Sequence, residues 1–209
     1  MKVYLDMDGL LANLFDAVAL KYSNGTRHYK QMSLAEKEQA KKIWYDREHF
    51  VDNFGDVEEF FANLKPFGKN GELTKAIIDT VIKEVGGYNI CSHPAGIDPK
   101  ASEAGKRIWI HKHLNPLPDE MYFPQNKAEY ALSEDGTPNI LIDDFPKYIN
   151  AWRSAGGIAI EMRTDGFNSV EQVKSYITKE LDKARKQLEG QIKESFNDYV
   201  ERILSEFNA

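Results

Sequence analysis

Five short apolar runs spaced along the chain restrict its fold more than any other feature. Residues 2–5 (KVYL), 88–91 (YNIC), 121–123 (MYF), 139–142 (NILI) and 157–160 (GIAI) are brief and nearly continuous in apolar character. Between them lie segments whose apolar residues recur at helical spacing. Leu11, Leu14, Phe15 and Val18 form one such set, and Leu73, Ile77, Ile78, Val81, Ile82 and Val85 form another, closed by Gly86-Gly87 as a C-cap. Residues 101–114 and 148–155 read as two more helices. Strands of this kind alternating with helices predict an α/β fold, a Rossmann-like parallel sheet with helices on both faces.

Residues 16–66 differ in character. They are rich in aromatics and charge and hold no convincing strand, so they read as a small helical insert, a cap. Trp44 and Tyr45 are expected in its own small core. The turn-rich PFGKNG at 66–71 leads back to the α/β core, predicted over 1–15 and 67–178. In the tail, Val170, Val173, Ile177, Leu181, Ala184, Leu188, Ile192 and Phe196 step by three or four residues, and Val200, Ile203 and Phe207 continue the series. This predicts a long amphipathic helix, with a bend possible at Gly190 and residues 179–209 as a C-terminal extension. Two coverings stand open for its distal half: the chain's own core, or a partner subunit in a homodimer.

Composition excludes several classes. With 209 residues the chain can bury a sizeable core. A formal net charge of -6 argues against binding a nucleic acid polymer, which needs clustered Lys and Arg. Cys91 is the sole cysteine, so no intrachain disulfide and no thiolate cluster for zinc can form. No leader and no apolar run near the roughly 20 residues of a spanning helix is visible, and a cytoplasmic protein without membrane contact is the expectation.

In a parallel α/β sheet, ligands bind outside the carboxyl ends of the strands. The first run ends in Asp6 and Asp8, the second in Ser92 and the fourth in Asp143-Asp144, while Lys127 lies just beyond the third. Clustered carboxylates repel one another, so gathering four of them implies a cation. Oxygen donors without a His or Cys set point to Mg2+. A carboxylate left over can act as nucleophile and another as general acid and base. Ser92 and Lys127 can receive the charge of a phosphoryl group. These are the parts of phosphoryl transfer. Taken singly, each has a plainer reading: Asp-x-Asp-Gly as a solvated turn, Asp143-Asp144 as a strand-to-loop transition, Lys127 as a surface lysine.

Together the motifs resemble the haloacid dehalogenase (HAD) superfamily. "DMDGLLAN" is similar to its first motif, Asp-x-Asp-Gly-x-x-Ala, Ser92 to its second, Lys127 to its third and Asp143-Asp144 to its fourth. "DMDGLLAN", "FFANLKP", "ICSHP" and "LIDDFP" resemble, more narrowly, the 5'(3')-deoxyribonucleotidase branch, whose helical cap follows the first motif. The resemblance implies an enzyme that removes phosphate from nucleoside monophosphates with Mg2+. It assigns Asp6 as nucleophile, Asp8 as proton donor and then base, and Ser92 and Lys127 as phosphate contacts. Asp6, the Asp8 carbonyl and Asp143 would hold the metal, supported by Asp144. Phe60 and Phe61 stand where a substrate-facing aromatic pair belongs, with one of the two stacking on a base, and His93 adjoins the phosphate pocket.

The sequence departs from that pattern at Ser92-His93, where Thr-Ser is usual, and around Lys127, whose role Lys106 or Lys112 could take. The tail has no counterpart. A phosphatase or phosphomutase acting on a sugar phosphate or another small phosphate ester is the neighbouring reading. An assembly protein without catalysis, using the C-terminal helix, is the reading from a different class.

Overall fold

The computed structural model describes residues 1–44 and 47–207, and the side chains of residues 1–40 and 48–190. Five parallel strands form one sheet: β1 (Val3–Leu5), β2 (Asn89–Cys91), β3 (Met121–Tyr122), β4 (Ile140–Asp143) and β5 (Ile158–Glu161), in spatial order β3-β2-β1-β4-β5. The order reverses between β1 and β4, where Tyr4 pairs with Leu141 and Leu5 with Ile142. A reversal of this kind opens a crevice at the carboxyl ends of the two strands.

The strands alternate cleanly between two apolar layers, as a period of two requires. Val3, Leu5, Ile90, Ile140, Ile142, Ile158 and Ile160 face the larger layer. There they meet helices α5 (Glu72–Val85), α6 (Pro99–His113) and the start of α8 (Val170–Phe207). Tyr4, Cys91, Leu141 and Ala159 face the other layer, packed by Ile149 and Trp152 of α7 (Pro146–Ser154). Helices on both faces of a parallel sheet are the architecture that the alternating pattern predicts.

The insert after β1 is helical: α1 (Leu14–Tyr22), α2 (Leu34–Trp44), α3 (Arg47–Phe54) and α4 (Val57–Ala62). It leaves and rejoins the core side by side, where Ala12 bridges Pro66 and the Asn13 amide donates to the Lys65 carbonyl (2.8 Å). Its two halves behave differently. Ala19, Met32 and Ala40 make a small cluster of their own, whereas Phe50, Phe54, Val57 and Phe61 join the main core. The expected core role of Trp44 and Tyr45 lies outside the described residues.

Helix α8 spans 38 residues and continues through Gly190. Its first turns bury Val173, Ile177, Leu181 and Ala184 against α5, with an Arg185–Glu84 ion pair (3.2 Å) beside them. The expected distal stripe beyond Leu188 lies outside the described side chains. Among the described residues no helix is long and apolar enough to cross a membrane.

Candidate active site

The polypeptide turns sharply after β1, and the turn is built for what stands over it. Gly9 has φ of +84°, and a Cβ there would lie 2.3 Å from Asp144 Oδ2. Only glycine fits both the backbone and the carboxylate against it. Two threonines brace this loop from distant helices and turns. Thr74 donates its hydroxyl to the Leu11 carbonyl (2.7 Å), and Thr164 donates to the Leu10 carbonyl (2.6 Å).

Asp6, Asp143 and Asp144 converge at the β1/β4 reversal, each with a carboxylate oxygen within 4.8 Å of the others, all buried. Asp6 follows β1, and its amide donates to the Ile142 carbonyl (3.0 Å), which keeps it level with the end of β4. Asp143 accepts from the Phe145 amide (2.8 Å) through Oδ1. Lys127 opens a short 3-10 helix, Lys127–Tyr130, capped by Asn126. Its Nζ donates to Asp6 Oδ1 and to Asp143 Oδ2, both at 2.6 Å, and lies 4.4 Å from the centre of the Tyr148 ring.

A second buried lysine faces it from α6. Lys106 Nζ donates to Ser92 Oγ (2.9 Å) and to the His93 carbonyl (2.7 Å), and pairs with Asp8 Oδ2 (2.7 Å). The other Asp8 oxygen, Oδ1, is buried without a hydrogen-bond partner. The α6 lysine reaches this spot because Asp98 caps the helix at the Ala101 amide (3.1 Å), while the Ser102 hydroxyl holds the Ala95 amide (2.9 Å). Lys112 is remote: it is exposed, and its nearest partner is Asn63 Oδ1 at 3.5 Å.

The charges are strongly perturbed. Burial pushes Asp144 up to about 8, with Asp6 and Asp143 adding to the effect. Burial, then the Asp6 charge, lifts Asp143 to about 6. Burial also raises Asp8, against the pull of Lys106. For Lys127, burial works against the ammonium, but the Asp6 and Asp143 charges outweigh it and the pKa rises. Burial, then Lys106 and Lys127, lowers His93, which favours the neutral imidazole. Burial lifts the Cys91 thiol to about 12, so it is no nucleophile near neutrality.

The structure therefore brings together Asp6, Asp8, Ser92, Lys127, Asp143 and Asp144, with His93 at the edge. The Asp8 carboxylate stands apart from the three gathered acids and is held by Lys106 instead. Phe61, expected with Phe60 to face a substrate, is fully buried between α4 and the core, 5.2 Å from Lys106 Nζ. Phe60 is partly buried and packs edge-on against Phe50 and Phe61. The physical reason is that α4 joins the main core, so its aromatic face is consumed there. Sequence reasoning treated Lys106 and Lys127 as rivals for one place, whereas the two lysines serve different carboxylates: Lys127 holds Asp6 and Asp143, and Lys106 holds Asp8. Tyr148, Thr74 and Thr164 carried no signal at all, since their partners are fixed only by the fold.

No protein-family model matches the sequence, and no curated protein does. Solved structures with some likeness include a hydrolase from Streptococcus pneumoniae TIGR4, at 12% identity and a TM-score of 0.47, covering 85% of this chain and 97% of that one. A hydrolase from Pseudomonas syringae aligns at 15% identity and a TM-score of 0.44, over 87% of this chain and 98% of that one. A haloacid dehalogenase-like family hydrolase from Streptococcus pneumoniae aligns at 14% identity and a TM-score of 0.41, over 77% and 83% of the two chains.

Proposed function

We propose that the protein is a Mg2+-dependent phosphomonoesterase of the HAD type that hydrolyses nucleoside monophosphates through an aspartyl-phosphate. The observation that carries this reading is the gathering of Asp6, Asp143 and Asp144 within 4.8 Å, flanked by two buried lysines. Three buried carboxylates offer only oxygen donors, the set a hard divalent cation prefers. Burial first, and neighbouring carboxylate charge second, raise Asp143 and Asp144, and a bound cation would offset both. When bound there, Mg2+ supplies Lewis-acid polarisation of the phosphoryl group.

The protein's own groups divide the remaining work. An Asp6 carboxylate oxygen forms a bond to phosphorus while the bond from phosphorus to the leaving alcohol breaks. Asp8, whose pKa burial raises, gives its proton to that leaving oxygen from Oδ1, the oxygen that has no hydrogen-bond partner. In the second step the Asp8 carboxylate takes a proton from water. The water oxygen bonds to phosphorus, the Asp6–phosphorus bond breaks, and phosphate departs. Lys106, Lys127 and the Ser92 hydroxyl balance the phosphoryl oxygens' charge.

The test is phosphate release across ribo- and deoxynucleoside monophosphates, with Mg2+ and with chelator. Release should need the metal, and Asp6→Asn should abolish it, by about 1000-fold or more, while leaving the melting transition in place. Full turnover by Asp6→Asn would remove Asp6 as nucleophile and the mechanism with it.

A further inference from the structure

Three rings away from α4 lie beside Lys127 and Ser92. Tyr148 sits under Lys127, with the ring centre 4.4 Å from Nζ. His93 stacks on Tyr148 with centroids 5.7 Å apart and planes 26° apart, and Phe145 meets the same ring at 5.7 Å and 56°. Phe145 is 50% exposed, the one exposed aromatic among the described residues. It follows directly on Asp143-Asp144.

Its local structure gives Phe145 no reason to be there. It is the N-cap of α7 and makes no side-chain cap. Ser, Thr, Asp or Asn at that place would satisfy a free amide of the first turn, which phenylalanine cannot. Nor does its ring fill the core below, since half of it faces solvent. An open ring beside a charged crevice suits a ligand with a charged head and a flat apolar body.

Resting on the phosphatase reading above, we infer that Phe145, with the Tyr148–His93 stack behind it, is the surface on which the planar base of a nucleoside monophosphate packs. The phosphate lies at Asp6 and the two lysines, and the base lies across the α7 side. The Phe61 ring of α4 supports Lys106 from within the core. Recognition by stacking tolerates any base, because every base presents a π face.

The experiment measures kcat/KM for a deoxynucleoside monophosphate and for deoxyribose 5-phosphate, with Mg2+, in the wild type, Phe145→Ala and Phe145→Trp. Wild type should favour the nucleotide. Phe145→Ala should lower that preference about tenfold, the size expected of one lost stacking contact, and Phe145→Trp should keep it. Melting curves establish that each variant is folded, which a half-exposed position readily allows. If the wild type hydrolyses both esters and Phe145→Ala leaves the preference unchanged, the stacking surface is overturned and the phosphatase stands. The same holds if wild type shows no preference, or if tryptophan fails as alanine does. If the wild type releases phosphate from neither ester, the phosphatase reading falls and this inference falls with it.

Discussion

Asp143 and Asp144 stand side by side and buried, with Lys127 bonded to Asp143, and that arrangement has a measurable pH signature. In the metal-free protein, Asp144 binds its proton up to about 8, whereas in the unfolded chain it releases it near 3.8. Asp143, raised to about 6, acts in the same direction over the lower part of that interval. Between those limits the folded state holds more protons than the unfolded one, so stability from these groups falls as pH rises. The melting temperature in chelator should therefore decline from about pH 5 to about pH 8. Under the proposed function, saturating Mg2+ should raise it most at the alkaline end, where the carboxylates that would hold it have lost their protons. Asp144→Asn should flatten the metal-free decline. Thermal melts across this range check all three, and a metal-free transition that climbs with pH would contradict the assigned shifts. These residues were legible as a site in the sequence because strand ends in a parallel sheet point to one edge. Their division of partners was not legible, since which lysine meets which carboxylate depends on how α6 lies across the sheet.

Helix α6 crosses α4 with no room to spare at Gly105. A Cβ there would lie 2.3 Å from the Glu58 carbonyl oxygen and 2.8 Å from Phe61 Cβ. The first is backbone, so the helices themselves must part. Trp109, one turn on, donates its indole N–H to the Leu64 carbonyl (2.7 Å) and fixes the same contact. Gly105→Ala should destabilise the protein by about 1–3 kcal/mol through overpacking, despite the better helix propensity of alanine. Urea unfolding measures it, and a variant as stable as the wild type would show that α4 yields freely. The next residue along is Lys106, so activity should fall as well. The helices of the core were legible from apolar spacing, and so was the absence of strands in 16–66. What spacing could not reveal is the partner of each apolar face. Phe50, Phe54, Val57 and Phe61 lie within the helical insert in sequence, yet they belong to the main core.

At the scale of the molecule, α8 is about 57 Å long at the usual rise of 1.5 Å per residue, several times the length of any strand it packs beside. Its proximal turns are covered by α5 and the sheet. The apolar positions Ile192, Phe196, Val200, Ile203 and Phe207 continue the spacing in sequence, and we propose a second copy of the chain as their cover, the chain's own core being the alternative. Light scattering should then give a dimer for the intact chain and a monomer for a chain ended at Leu188. A monomeric intact chain would leave the stripe to other partners. The bracing of the loop after β1 has a further consequence, for the timing of synthesis. Leu11 is held by a residue 63 positions later, Asp6 by one 121 later and Leu10 by one 154 later. A chain emerging from the ribosome N-terminus first carries Asp6 from the start, yet lacks the last clamp until Thr164 is out. On the proposed function, the nascent chain is thus kept incomplete by its own connectivity, and any fragment short of that threonine should bind Mg2+ and phosphate less tightly than the whole chain.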